Sequence, residues 1–325
     1  MAVIGPHIVD VLGRPVETIP AGQGSARLTE IRATAAGTAA GTAVDLAKLG
    51  ARVSTFGAIG DDLLADILLA ALASHGVMTA GLVRTPAAQT SATILPIRPN
   101  GERPALHVPG ATRLLQLADL DLAALADADA LVLGGPDALT GLSGSDLAAI
   151  VTAARAGGAL VLTDVLHPGS ERDFSRIAGA LAGTDWFCPN SDQLLALTGR
   201  ADLEPAIADV LALGTGGVAV TLGADGCLVT AADGLTRLPA IAVDVVDTTG
   251  CGDAFSAGML TGLLLGCAPA DAAWLGVACG ALAATGLGSD AGLESLAQVL
   301  DFLSAASTEA AARITAAIGE RERVR

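Results

Sequence analysis

The chain contains no Tyr and only 5 Phe and 2 Trp among its 325 residues, so a ligand that depends on an aromatic stacking partner is poorly served. Basic residues are also scarce: 18 Lys and Arg stand against 34 Asp and Glu, a formal net charge of −16. Such a surface repels phosphate backbones and anionic lipid. This argues against nucleic-acid and membrane-surface roles, while leaving room for a local pocket that binds a small anion. The five cysteines (Cys188, Cys227, Cys251, Cys267, Cys279) are odd in number and form no CxxC pair, so free thiols in a reducing cytoplasm are expected. The longest apolar stretch, Met259 to Gly288, is broken by Pro269 and Asp271, whereas a membrane-spanning helix wants about 20 mostly apolar residues. Residues 1–10 lack the basic start and cleavage pattern of an export signal. No low-complexity linker, charge block or internal repeat divides the chain.

What the chain has is apolar material, 52% of residues against 16% charged, enough for a large core and too much for disorder. Short apolar runs at Arg52–Phe56, Ala130–Leu133, Ala159–Leu162, Gly217–Thr221 and Cys227–Val229 are expected strands. Helical patterns lie between and after them, at Thr38–Leu49, Asp62–Ser74, Ser145–Ala156, Leu203–Leu213, Asp253–Leu265, Asp271–Ala284 and Leu293–Ala305. The alternation predicts an α/β fold: a three-layer sandwich whose mostly parallel central sheet is flanked by helices and buried on both faces. Thr308–Arg325 has helical period and ends in mixed charges, which predicts a solvated tail helix. One segment breaks the pattern. Thr90–Arg98 and Ala105–Val108 flank Asn100-Gly101, a hairpin signal, and Pro96 points to an edge strand.

The most informative run is Val243-Asp-Val-Val-Asp247-Thr248-Thr249-Gly250-Cys251-Gly252-Asp253-Ala254-Phe255. Small residues at a helix N-terminus let backbone N–H groups approach a phosphate, and the helix dipole favours its charge. Asp253 falls in the first helical turn, where a carboxylate stays ionised and can face a substrate hydroxyl. The plainer reading is ordinary capping by Asp247 or Thr249. That reading would suffice for a lone Gly-X-Gly-Asp; the complete DTTGCGD followed by an apolar helix is more specific. No GxxxxGK[ST] run exists, so a P-loop NTPase has no support.

With this run the sequence resembles the ribokinase-like PfkB carbohydrate kinase family, whose C-terminal signature is close to DTxGAGD. Five further landmarks follow in order. Gly5-Pro-His-Ile-Val-Asp10 is similar to the family's first strand, and Gly57-Ala-Ile-Gly60-Asp61-Asp62 to its GxxGxD turn. Gly110-Ala111-Thr112 stands where a lid returns to the core. Cys188-Pro-Asn190-Ser-Asp-Gln193 resembles NxxE, and Thr221-Leu-Gly223-Ala-Asp-Gly226 resembles TLGxxG. The resemblance implies a single kinase domain over 1–325, with a small β lid formed by about 11–35 and 85–110, and an ATP-dependent transfer to a hydroxyl of a small sugar or sugar derivative. By it, Asp253 is the general base, and Gly250, Cys251 and Gly252 hold the transferring phosphoryl oxygens. Asp10, Gly37, Gly41 and His107 face the substrate, while Asn190, Thr221, Gly223 and Gly226 face the nucleotide. Mg²⁺ arrives on ATP. Asp247 and Thr249 correspond to residues that hold a monovalent cation such as K⁺ in several relatives, with a turn cap as the equal alternative. The hairpin lid suggests a homodimer, because exposed sheet edges are readily covered by a second copy.

Three departures stand out. The family's GGxxxN reads Ala36-Gly37-Thr38-Ala39-Ala40-Gly41, so its sugar-binding Asn is Gly41; the missing amide is expected to enlarge the pocket. The NxxE acid is Gln193, with Asp192 beside it as a stand-in. Asp164-Val-Leu-His167 lacks the Asn and Arg of some relatives. These losses keep two alternatives open: a nucleoside (adenosine-like) kinase, for which the lid segments hold no aromatic residue, and a non-catalytic sugar or nucleotide sensor. Arg32, Arg98, Arg103 and His107 make the presumed lid polar, and His7 is a second histidine able to pair with a sugar hydroxyl.

Overall fold

The computed structural model describes residues 1–167, 169–231 and 234–324. It opens with β1 (Ala2–Ile4), β2 (Ile8–Arg14), β3 (Glu30–Ala36), α1 (Thr38–Lys48), β4 (Ser54–Gly60), α2 (Leu63–Ser74) and β5 (Met78–Thr85). After β6 (Ser91–Pro96) and β7 (Leu106–Val108) come α3 (Leu122–Ala126), β8 (Ala130–Gly134), α4 (Gly144–Ala156), β9 (Leu160–Asp164) and α5 (Glu171–Leu181). The chain continues through β10 (Trp186–Phe187), α6 (Ser191–Thr198), α7 (Leu203–Ala212), β11 (Gly217–Thr221), β12 (Cys227–Ala231) and β13 (Gly234–Leu238). It ends with α8 (Cys251–Leu264), α9 (Pro269–Ala283), α10 (Leu296–Ala306) and α11 (Thr308–Val324).

Nine strands form the large sheet in the order β13-β12-β11-β10-β9-β8-β1-β4-β5. It is parallel from β5 to β11 and antiparallel across β12 and β13. Its inner strands, such as β1, β8 and β11, lack polar alternation because both faces are covered. Val3, Val132 and Ala219 pack into one core with α1, α8 and α9, while Ile4, Leu131, Leu133 and Val218 point into the other with α4 and α5. Helices α8 and α9 approach closely through small residues: a Cβ on Gly262 would stand 2.7 Å from Ala272 Cα.

A separate four-stranded sheet, ordered β3-β2-β6-β7, grows out of the end of β1. Asp10 pairs with Thr93, and Thr93 with His107, so these three share one face. Val11, Ile94 and Leu106 share the other, and there Ile31, Ile94, Leu106 and Val108 are 68%, 57%, 62% and 45% exposed.

Several expectations are corrected. β6 is an inner strand, paired with both β2 and β7. Ile97 directs its N–H and C=O toward the β2 side, to Gly13 and Val16. Pro96 therefore faces the other side, where β7 has already ended. The Asn100-Gly101 hairpin forms, but not as a two-residue turn. Gly101 N–H reaches Arg98 O, Arg98 N–H reaches Glu102 O, and only Gly101 has positive φ, the pattern of a type I turn with a bulge. The tail helix is not wholly solvated: Ala310, Ala311 and Ile314 are buried, and Arg313 pairs with Asp271 of α9 at 2.8 Å. Arg325, its expected end, lies outside the described residues.

Candidate active site

The two sheets and the start of α8 enclose a cleft of about 460 Å³. Gly250 caps α8 at φ 82°, a left-handed position natural to glycine. A Cβ there would also stand 2.6 Å from Ser289 Cα. The first helical bond of α8 runs from Ala254 N–H to Gly250 O, so the N–H groups of Gly252 and Asp253 precede the ladder and have no intrahelical acceptor. A Cβ on Gly252 would meet nothing within 4 Å, which leaves that backbone open to a ligand. Thr248, Thr249, Gly250, Cys251, Gly252 and Asp253 all line the cleft.

Asp253 stands in the first turn of α8, with Asp10 of β2 in the same cleft. Loss of solvent, then the charge of Asp10, pushes its pKa up to about 7, with Arg103 pulling the other way. Asp10 rises to about 6, first through burial; the Thr93 hydroxyl and Arg103 oppose the rise, and Asp247 adds to it. Asp253 is thus more basic than a first-turn acid is expected to be. The carboxyl of Asp164, at the end of β9, is held well above its usual range, first by burial and then by Asp253. It accepts the Ser256 hydroxyl at 3.3 Å.

Gly37 lines the cleft, but Gly41 does not. The space over Gly41 is already filled, because a Cβ there would stand 2.5 Å from Asp253 Oδ2. The missing amide therefore does not enlarge the cleft. It is the seat on which the Asp253 carboxyl rests.

On the far side, Asn190, Thr221 and Gly223 line the cleft, held together by a parallel bridge between Asn190 and Thr221. Gly226 sits behind them and only closes the turn, its N–H on Gly223 O at 3.1 Å. Gln193 lines the cleft with both ends of its amide engaged. Oε1 accepts Asn190 N–H at 2.8 Å and Nε2 donates to Val165 O at 2.8 Å. Asp192 is exposed and outside the cleft lining, so it does not stand in for the absent acid.

Asp247 is fully buried. Its Oδ1 accepts Thr249 N–H at 3.0 Å and Thr249 Oγ1 at 2.8 Å, and Oδ2 accepts Gly288 N–H at 3.0 Å. These bonds are those of the turn-cap alternative. Among the described residues, no group of three or more His, Cys, Asp or Glu is placed to hold a metal ion.

Of the polar small-sheet residues, Arg103 and His107 turn inward. Arg103 Nε donates to Thr248 Oγ1 at 3.0 Å. Arg32 instead ties Leu287 O and Asp290, and Arg98 pairs with Glu102. His7 lies in the core, bonded to Thr55 Oγ1 at 2.7 Å and to Gly5 O; burial holds it down to about 4, hence neutral. Neither Asp164 nor His167 is assigned a role by sequence reasoning, yet both line the cleft. Their one sequence signal is position, at and just after the end of a parallel strand, where such sheets bind ligands.

A mostly parallel nine-stranded sheet between two helical layers, with a separate small sheet beside the cleft, defines the ribokinase-like α/β fold. The family described as pfkB family carbohydrate kinase matches residues 1–296, and the chain belongs to it. Fructokinase-1 of Oryza sativa subsp. japonica is 28% identical over 285 residues, covering 83% of this chain and 88% of that protein. An ATP-dependent ribose-1-phosphate kinase of Halopiger xanaduensis is 30% identical over 275 residues, covering 83% and 86%. The crystal structure of a fructokinase with bound ATP from Xylella fastidiosa matches with a TM-score of 0.79 at 25% identity, over 94% of this chain and 98% of that one. The chain is a sugar kinase of this family. Among the described residues, no helix is long and apolar enough to cross a membrane.

Proposed function

We propose that the cleft transfers the terminal phosphoryl group of ATP to a hydroxyl of a small sugar derivative, with Asp253 as the general base. The observation that carries this reading is the pairing of a raised-pKa carboxylate with open backbone N–H groups at the same helix start. Mg²⁺ arrives on the nucleotide and neutralises charge on its phosphates. Asp10 and Gly37 hold the sugar so that one hydroxyl reaches Asp253. The N–H groups at Gly250, Cys251 and Gly252 receive the oxygens of the transferring group, and Arg103 closes over it from the small sheet. Such transfers pass through a loose transition state, so positioning and charge stabilisation supply most of the rate, and a base near neutrality is sufficient. Asn190, Thr221 and Gly223 carry the nucleotide. Among the described residues, no Phe or Trp lines the cleft, which favours a sugar over a nucleoside, whose base prefers an aromatic face.

In this reading the small sheet is the lid. Its apolar outer face, with Ile31, Ile94, Leu106 and Val108 exposed, is covered by a second copy, giving a homodimer. The five free thiols support a reducing cytoplasmic setting. An ADP-release screen of sugars, sugar acids, sugar phosphates and nucleosides, run beside Asp253→Asn, tests the reading. The expected result is turnover of a sugar-type member that drops by about 10²–10⁴-fold in the variant at an unchanged melting temperature. Turnover that survives in Asp253→Asn removes the base from this scheme.

A further inference from the structure

Two opposite chemistries line the cleft. One is acidic, with Asp10, Asp164 and Asp253. The other is a pair of imidazoles: His107 comes from β7 of the small sheet and His167 from the loop after β9, and both line the cleft. Their ring centroids lie 6.4 Å apart with the planes at 65°. Thr93 Oγ1 meets His107 Nδ1 at 3.1 Å, and the Ala92 backbone also bonds the His107 ring; among the described residues, the His167 ring has no hydrogen-bond partner. Burial and then the charge of His167 hold His107 below its ordinary value. A ligand that brings a negative charge to this pair offsets both effects.

Two histidines facing each other, in a chain with only four histidines and a net charge of −16, are a costly arrangement for a neutral sugar. Hydroxyls are served by carboxylates, which Asp10, Asp164 and Asp253 supply; a carboxylate or phosphate is repelled by these and attracted to the imidazoles. Resting on the kinase reading above, we propose that the natural substrate is an anionic sugar: its reacting hydroxyl points to Asp253 and its carboxylate or phosphate ester is held between His107 and His167. The two rings each present an N–H to a different oxygen of the anion, which is charge-assisted hydrogen bonding. Because one ring belongs to the small sheet and the other to the large-sheet body, the anion also ties the two together.

The experiment compares kcat/KM for ribose and fructose with that for their phosphate esters and for ribonate and gluconate. At least tenfold preference for an anionic member is expected, and the phosphate and carboxylate arms identify which anion fits. His107→Gln and His167→Gln keep a polar side chain but cannot carry charge. Each is expected to reduce the anionic-to-neutral ratio of kcat/KM at least tenfold, whereas general damage to the site lowers both values and leaves the ratio. A preference for neutral sugars, or an unchanged ratio in the double variant, overturns the proposal. If nothing in the panel is phosphorylated, the kinase reading fails, and the anion site is judged by melting temperature. An anionic sugar that stabilises the unaltered protein but not the double variant upholds the site; no such difference overturns it.

Discussion

Asp253 and Asp10 share one poorly hydrated cleft, and the charge of Asp10 raises the affinity of Asp253 for protons. A general base acts in its ionised form, so activity belongs to the pH range above its pKa. With Asp253 near 7, kcat/KM is expected to fall about tenfold per pH unit below that point. Asp10→Asn removes the like charge. Although it weakens the sugar, it should move the acid limb to lower pH, and a limb that stays in place shows that Asp10 does not set it. Gly41 is the other residue with a direct claim on the base. Gly41→Ala improves the intrinsic propensity of α1 by about 1 kcal/mol, yet its methyl would stand 2.5 Å from Asp253 Oδ2 and push the carboxylate aside. A displacement of about 1 Å costs on the order of 10²-fold. The expected result is a large loss in kcat at an unchanged or higher melting temperature, read on the same preparation. The open helix start and the carboxylate beside it, the proposed anion hole and base, were legible in DTTGCGD, because backbone geometry demands small residues there. That Gly41 seats the base was not legible, since it depends on a helix packing across the fold from α8.

At the scale of elements, α1 shows how sequence and packing disagree. Its residues Thr38, Ala39, Ala40, Gly41, Thr42, Ala43, Val44, Asp45 and Leu46 are all buried, so no polar face marks its orientation in the sequence. The Thr38 and Thr42 hydroxyls and both oxygens of Asp45 are buried without hydrogen-bond partners. Burial holds the Asp45 carboxyl well above its usual range, with Lys48 opposing and Asp253 and Asp290 adding to the rise. An unsatisfied buried polar group costs about 1–3 kcal/mol. Asp45→Ala is therefore expected to raise stability by about 1–2 kcal/mol, seen as a higher urea midpoint; a lower midpoint would show that Asp45 stabilises α1. Strands buried on both faces, such as β8 and β11, were legible as apolar runs. β5 was missed because it is an edge strand of mixed burial, and α5 because its first turn is polar and charged. The capping box that starts α6 uses Gln193 on Asn190, and that structural duty hid behind a motif read for metal binding. In Gln193→Glu, a carboxylate would face the Val165 carbonyl where an N–H now donates.

For the molecule as a whole, the outer face of the small sheet and the electrostatics of the cleft each give an expectation. Ile94 sits mid-strand on that outer face at 57% exposure, opposite Leu106. Sedimentation velocity should show a dimer for the unaltered chain and a monomer for Ile94→Lys, because a charge at the centre of a paired apolar face is left desolvated and unpaired. A monomer in both forms removes the dimer. Among the described residues, Arg103 is the only Lys or Arg that lines the cleft, in a chain that carries −16 overall. A nucleotide polyanion approaching from bulk water meets the field of the whole protein before it meets one guanidinium. The Debye length shrinks from about 30 Å at 0.01 M salt to about 10 Å at 0.1 M, so added salt screens the long-range repulsion more than the short contact with Arg103. Stopped-flow capture of MgATP should therefore accelerate several-fold as choline chloride rises over that range, while capture of a neutral sugar does not change. Choline keeps the measurement free of any effect of K⁺, and a capture rate for MgATP that falls with salt would mean that the local positive charge governs approach.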